Sequence, residues 1–219
     1  MSYTAVIVEP RQHRAMPLVV KNFLTHLPAT EWNFLVMHGV SNKTFVEENV
    51  LMLDPLRIQL HEMPCQNLTI NDYNCLLSSR EFYEMIPTET MLIFQTDALI
   101  VNPDRLREFL DYDYVGAPWT NWEVGNGGLS LRKKSKMLER IARGYRRPGM
   151  NEDIYFSQDP FLKKPDGKTA SFFSSETVFN EESFGIHKAW EYITAQEFQK
   201  FIDRCPDAEI LRDLVKPIH

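Results

Sequence analysis

Five short stretches of the chain carry side chains whose types could do chemistry. Arg11 follows an apolar run from Tyr3 to Val8, and Gln95, Thr96 and Asp97 close a second apolar run, Met91 to Phe94. Gly125-Asn126-Gly127-Gly128 packs three glycines into four positions. Asn151-Glu152-Asp153 precedes the apolar Ile154, Tyr155 and Phe156, and His187-Lys188 sits within the aromatic stretch Phe184 to Trp190. A carboxylate such as Asp97, at the carboxyl end of a buried strand, faces the crevice in which open α/β sheets bind ligands. Mg²⁺ or Mn²⁺ is commonly held in such a place by one or two carboxylates together with substrate phosphates. Asp153 or Glu152 could take the proton of an attacking hydroxyl. Lys188 is a point charge suited to phosphate, and the planar guanidinium of Arg11, expected at the same sheet edge as Asp97, could meet a base or a phosphate.

Each stretch also has a plainer reading. Asp97 could cap the turn that leads to Asn102-Pro103, and the glycines could form an ordinary hairpin turn. Otherwise they let a backbone approach a ligand closely and adopt positive φ. Acidic residues in a first helical turn, as at Glu152 and Asp153, are favoured by the helix dipole alone. His187 could be a packing residue among aromatics, and Arg11 a solvated loop side chain. Trp119 and Trp122 could stack on sugar faces or pack in the core. The other histidines, His13, His26, His38, His61 and His219, share no spacing.

The elements that would position these residues follow from apolar periodicity. Strand-like runs at Tyr3–Val8, Asn33–His38 and Arg57–Met63 alternate with helical patterns over residues 14–27 and 43–51, with Pro17 suited to a first helical turn. That alternation predicts βαβ units and a parallel sheet. Thr69-Ile70-Asn71-Asp72 starts a helix whose apolar stripe runs through Tyr73, Leu76, Leu77, Phe82 and Ile86 to Pro87. After the strand Met91–Phe94 come a short helix at 104–110, a strand at 114–119, Leu129–Leu131 and a helix at 135–143. The pattern then predicts a helix opening at Asn151, a loop at 159–169, a helical turn at 176–180 and a last amphipathic helix at 195–202. No repeat or linker interrupts the 219 residues, so a single α/β domain over 1–219 is expected, with a mostly parallel central sheet flanked by helices.

A composition of 43% hydrophobic and 25% charged residues argues against disorder. The net charge of −6 gives a nucleic-acid partner no global support. The basic run Arg132, Lys133, Lys134, Lys136 and the pair Arg146-Arg147 read as solvated helix faces. Cys65, Cys75 and Cys205 form no CxxC pair, so neither a zinc knuckle nor a disulfide framework is expected. With no signal peptide visible and no transmembrane run of about 18 apolar residues, the chain reads as soluble and cytoplasmic.

Taken in order, the strand ending in Asp97, the glycine-rich loop, the x-Glu-Asp helix start and the late histidine resemble the core of GT-A (Rossmann-like) glycosyltransferases. The wording FQTD at 94–97, VGAPW at 115–119, GNGG at 125–128, NED at 151–153 and GIHK at 185–188 is similar to that of a family of small GT-A-like domains. The resemblance implies a glycosyltransferase that moves a sugar from a nucleoside-diphosphate sugar to a hydroxyl on a glycan, protein or small molecule, metal-dependent and inverting. Asp97 corresponds to the last Asp of the DxD motif and would bind Mn²⁺ or Mg²⁺ with His187. Asp153 would be the catalytic base, with Glu152 orienting the acceptor or taking that role itself. Arg11, Gln95, Thr96, Asp97, Gly127, Gly128 and Lys188 would line the donor site. The first Asp of DxD is Gln95 here, an amide that brings no charge. The alternative is a non-catalytic nucleotide-sugar or glycan-binding module on the same fold.

Overall fold

The computed structural model describes residues 1–216, so His219 lies outside the described residues. The first strand, β1 (Tyr3–Glu9), is buried from Thr4 onward on both faces, the near-continuous apolar pattern of a strand covered by helices on either side. Helix α1 (Met16–His26), with Pro17 in its first turn, leads to β2 (Trp32–Gly39). Helix α2 (Lys43–Asn49) leads to β3 (Ile58–Met63). β1, β2 and β3 pair in parallel, as the βαβ spacing predicts.

The predicted helix after Thr69 is two helices, α3 (Ile70–Leu77) and α4 (Arg80–Met85). Ser78 ends the first and the Ser79 hydroxyl caps the second by accepting from the Phe82 N–H, which interrupts the apolar stripe. β4 (Thr90–Phe94) joins β1 in parallel, β5 (Ala98–Ile100) leaves for a second sheet, and β6 (Tyr114–Gly116) precedes β7 (Leu129–Lys133). β7 runs antiparallel to both β4 and β6, giving a six-stranded sheet in the order β3-β2-β1-β4-β7-β6.

Helices α5 (Lys134–Arg143) and α6 (Glu152–Ser157) follow, then α7 (Gly167–Ser171), whose start at Gly167 cuts short the loop expected to reach Thr169. The segment 176–180 is not a helical turn. Short strand β8 (Ser174–Ser175) pairs in parallel with β9 (Gly185–His187), and the Ser175 hydroxyl, bonded to both N–H and C=O of Asn180, folds the intervening residues back in bends. The chain continues through α8 (Ala195–Arg204) into a further helix absent from the sequence reading, α9 (Asp207–Val215).

The large sheet is covered on both faces. On one side Phe23 of α1 stacks on Phe94 at 3.9 Å between ring centroids, among Phe34, Phe198, Phe201 and Leu211. On the other, Leu35, Met37, Ile93, Phe82, Tyr83, Tyr155 and Phe156 form a second buried cluster under α3 to α6. Since β1, β2, β3 and β4 all point one way, their carboxyl ends define one edge, and the antiparallel β7 begins at that edge with Leu129 opposite Phe94. Among the described residues no helix is long and apolar enough to cross a membrane.

Candidate active site

Two strand registers bring distant residues together at this edge. β5 pairs antiparallel with β9 so that Ala98 stands opposite His187, which sets His187 beside Asp97. The Lys188 N–H donates to the Asp97 carbonyl at 2.8 Å and continues the tie. β8 pairs with β9 through Ser175 and Ile186, and the next step along both chains brings Glu176 alongside His187.

The buried imidazole is therefore surrounded by oxygens. Nε2 lies 3.1 Å from Asp97 Oδ1 and donates to Gln95 Oε1 at 3.2 Å, while Nδ1 lies 3.2 Å from Glu176 Oε1. Burial alone would lower the His187 pKa, but the Asp97 and Glu176 carboxylates outweigh it and raise it to about 9. For Asp97, burial favours the protonated form, but His187 and Lys188 overcome it and hold the carboxyl below its usual range. Asp97 Oδ1 is paired with the His187 ring, whereas the hydroxyl of Tyr73 in the same cleft is buried without a hydrogen-bond partner among the described residues. Unsatisfied buried polar atoms of this kind call for an explanation, a ligand among them.

The donor chemistry fits a divalent cation. Asp97 and His187 would hold it once the imidazole gave up its Nε2 proton, the cation taking the place of the Asp97–His187 ion pair. Glu176 on the other ring nitrogen matches the carboxylate that commonly orients a metal-ligating histidine. Among the described residues no group of three or more His, Cys, Asp or Glu side chains is gathered for a metal, so phosphate oxygens and water would fill the remaining positions.

Across the cleft, α6 presents Glu152 and Asp153. Its first N–H is satisfied from outside the helix: Glu152 N donates at 2.9 Å to Oδ1 of Asn74, on α3. Both oxygens of Glu152 are taken up by Arg132, at 2.7 and 3.1 Å. Arg132 is fully buried, not on a solvated helix face. It lies on β7, where its guanidinium also donates to the Tyr83 hydroxyl and Ser130 Oγ and faces the rings of Tyr114 and Phe156. With Glu152 committed to this pair, Asp153 is the carboxylate with room for a proton. Burial and then the Glu152 charge push Asp153 up to about 6, while the Ile154 N–H at 2.7 Å holds one of its oxygens in position.

The glycine-rich loop runs between these two groups. Gly127 and Gly128 are needed for close approach rather than for positive φ, which neither adopts. A Cβ on Gly127 would come within 2.4 Å of Glu152 Oε1, and one on Gly128 within 2.1 Å of His187 Cε1. The cleft they share, of about 620 Å³, is also lined by Val8, Arg11, Thr96 and Lys188. Arg11 is anchored by a two-pronged pair with the buried Glu9, both contacts at 2.8 Å, while its own side chain stays 57% exposed at the rim. Lys188 occupies the left-handed region at φ 36°, a strained conformation of the sort found at ligand sites.

All the residues expected from the sequence thus meet in one cleft. Glu176, Tyr73, Asn74 and Arg132 were missed. Glu176 lies in bends whose path no local pattern encodes, and Arg132 is hidden in a basic run.

The fold is that of GT-A glycosyltransferases. The chain superposes on TarS of S. aureus in complex with UDP-GlcNAc with a TM-score of 0.52 at 7% identity, covering 98% of this chain and 70% of that one. The glycosyltransferase GlyE of Streptococcus pneumoniae TIGR4 gives 0.59 at 6% identity, with coverage of 97% and 63%. The galactosyltransferase LgtC in complex with donor and acceptor sugar analogs gives 0.53 at 14% identity, with coverage of 96% and 94%. In sequence, the chain belongs to the family described as Protein of unknown function (DUF5672), whose profile matches residues 57–187. No curated protein sequence matches it.

Proposed function

We propose that the chain is an inverting, metal-dependent glycosyltransferase that uses a nucleoside-diphosphate sugar and a hydroxyl acceptor. The observation that carries this reading is the convergence, in one cleft, of the Asp97–His187 pair at 3.1 Å with a carboxylate, Asp153, whose pKa is raised to about 6. Asp97 Oδ1 and His187 Nε2 would hold Mn²⁺ or Mg²⁺, with Glu176 fixing the imidazole. When bound, the cation supplies charge neutralisation on the leaving diphosphate. Lys188 adds a positive charge beside the diphosphate, and the Arg11 rim faces the nucleoside. The acceptor hydroxyl oxygen bonds to the anomeric carbon as the bond from that carbon to the diphosphate oxygen breaks. The hydroxyl proton passes to Asp153, whose pKa just below neutrality suits a general base. Glu152 acts as a positioning residue, locked by Arg132.

The test is release of nucleoside diphosphate from a panel of nucleotide-sugars, with and without Mn²⁺. Full metal-stimulated turnover in Asp97→Ala would overturn the reading. One observation favours a second reading, a non-catalytic nucleotide-sugar-binding module: Gln95 stands where a second charged ligand would. Tight donor binding with no turnover across the panel and a range of acceptors would select it.

A further inference from the structure

A second cleft, of about 680 Å³, lies on the far side of Trp119, which lines both it and the cleft of Asp97 and Asp153. Its volume falls in the range of small-molecule sites, roughly 300–1,000 Å³. Trp122 forms one wall with its side chain half exposed, although large aromatic rings seldom remain in solvent without a use. Its backbone sits at φ 64°, a region that bulky residues rarely enter and that persists only where the surroundings enforce it.

The surroundings do enforce it. The Trp122 N–H donates to the Trp119 carbonyl at 2.8 Å, and the Trp119 N–H to the Glu123 carbonyl at 2.9 Å. Asn121 accepts from the Glu123 N–H at 3.1 Å, and Gly167 of α7 packs so closely on the Trp122 carbonyl that a Cβ there would lie at 2.0 Å. Residues 119–123 are thus held in a tight turn whose product is an exposed indole.

Helix α6 connects the two clefts. Asp153 lines the first, and Ser157, four residues on and therefore on the same helix face, lines the second. The rise between them is about 6 Å, comparable to the span of a pyranose ring. Ser157 is buried and its hydroxyl has no hydrogen-bond partner among the described residues. The carboxylates nearby are already engaged, Asp166 by the Thr169 N–H at 2.7 Å and Glu123 by Asn121 at 3.0 Å. What remains for a ligand is an aromatic face, the amide of Gln158, a hydroxyl and Lys164, whose ammonium is tied to the carbonyls of Ser157 and Asp159. An aromatic face flanked by a hydroxyl, an amide and two carboxylates suits a neutral carbohydrate, and the negative charge of Glu123 and Asp166 disfavours a nucleotide or an acidic peptide.

We propose that this cleft is an acceptor subsite for a neutral glycan, one sugar stacking on Trp122 while the next unit reaches over Trp119 toward Asp153. The inference rests on the transfer reaction proposed above. It is tested by titrating the full chain with a panel of neutral mono- to tetrasaccharides, followed by Trp fluorescence and ligand-observed NMR, for wild type, Trp122→Ala and Trp122→Phe. Binding is expected to strengthen from mono- to disaccharides, to fall about tenfold or more in Trp122→Ala and to be largely kept in Trp122→Phe. Equal binding by wild type and Trp122→Ala, binding of acidic peptides in place of sugars, or no binding by any member of the panel would overturn it. Nucleoside-diphosphate binding, measured separately on the wild-type chain, reports on the parent reading. Saccharide binding lost with Trp122 but without nucleotide binding would refute the transfer reaction and leave the glycan site standing.

Discussion

Replacing Asp153 by Asn should make the protein more stable and inactive at once. The carboxyl group moves from an ordinary value of 3.8 to about 6 on folding, because burial and the Glu152 charge disfavour its ionised form. A pKa raised in the folded state means that the native protein binds the proton more tightly than the unfolded chain. Its stabilising contribution is then complete below pH 4 and is lost as the pH rises through about 6. The full shift of roughly two units corresponds to about 3 kcal/mol, and partial solvent access to the side chain reduces this to about 1–2 kcal/mol at neutral pH. Asn carries no charge, and its side-chain oxygen can still accept from the Ile154 N–H. The variant should therefore match wild type near pH 4 and exceed it at pH 7.5 by about 2–8 °C in Tm. Thermal and urea unfolding at a series of pH values measure this, and nucleoside-diphosphate release measures the accompanying loss of transfer. In wild type, turnover should rise with pH through about 6 as the base ionises. A variant that is less stable at pH 7.5, or a stability difference that does not change with pH, would refute the electrostatic account of this site.

Three further outcomes follow from other contacts. Glu176→Gln should weaken Mn²⁺ binding about 10–100-fold by removing the carboxylate behind His187, as measured by EPR titration of the free ion; unchanged affinity would mean that Glu176 does not orient the ring. Arg132→Met should cost about 3–5 kcal/mol in urea unfolding by stranding Glu152 in the interior, while Arg132→Met with Glu152→Met should recover most of it. If the double variant is no better than the single, the ion pair is not the source of the loss. Gly128→Ala would put a methyl group 2.1 Å from His187 Cε1, so metal-stimulated turnover should fall by about tenfold or more while the circular dichroism spectrum is retained; wild-type turnover would show that the ring can move without consequence.

The parts of the fold legible in the sequence are those with local causes. β1, β2, β4 and α1 were readable because a strand buried on both faces is a run of apolar residues and a covering helix repeats every three to four positions. The failures have non-local causes. Ser79 caps a new helix within what is, by periodicity, one continuous stripe. Arg132 shares its neighbourhood in sequence with three lysines, and only the pairing of β7 beside β4 turns it inward toward Glu152. The glycines at 127 and 128 were singled out for positive φ and for close approach to a ligand, whereas in the folded chain their missing side chains let His187 and Glu152 approach. Asp97, Asp153 and His187 were singled out because their order along the chain resembles a known arrangement; nothing local in residues 97 and 187 says that they lie 3.1 Å apart.

Gln95 is the departure from that arrangement, and the surroundings of His187 give it a physical reason. One imidazole already stands between Asp97 and Glu176, which approach its two nitrogens at 3.1 and 3.2 Å. A third carboxylate at position 95, within about 3 Å of the same ring, would add like-charge repulsion in a buried place where the His187 ring and Lys188 already face two carboxylates. An amide supplies an oxygen of the same reach, already accepting from Nε2 at 3.2 Å, without that charge. The consequence, under the proposed reading, is a site with two strong protein ligands, one neutral oxygen and too little charge to hold a divalent ion firmly alone. Such a site gains most from a ligand that brings its own oxygens and negative charge. A cation already chelated by a diphosphate does so, and Lys188, beside Asp97 at the mouth of the cleft, stands ready to meet the remaining charge.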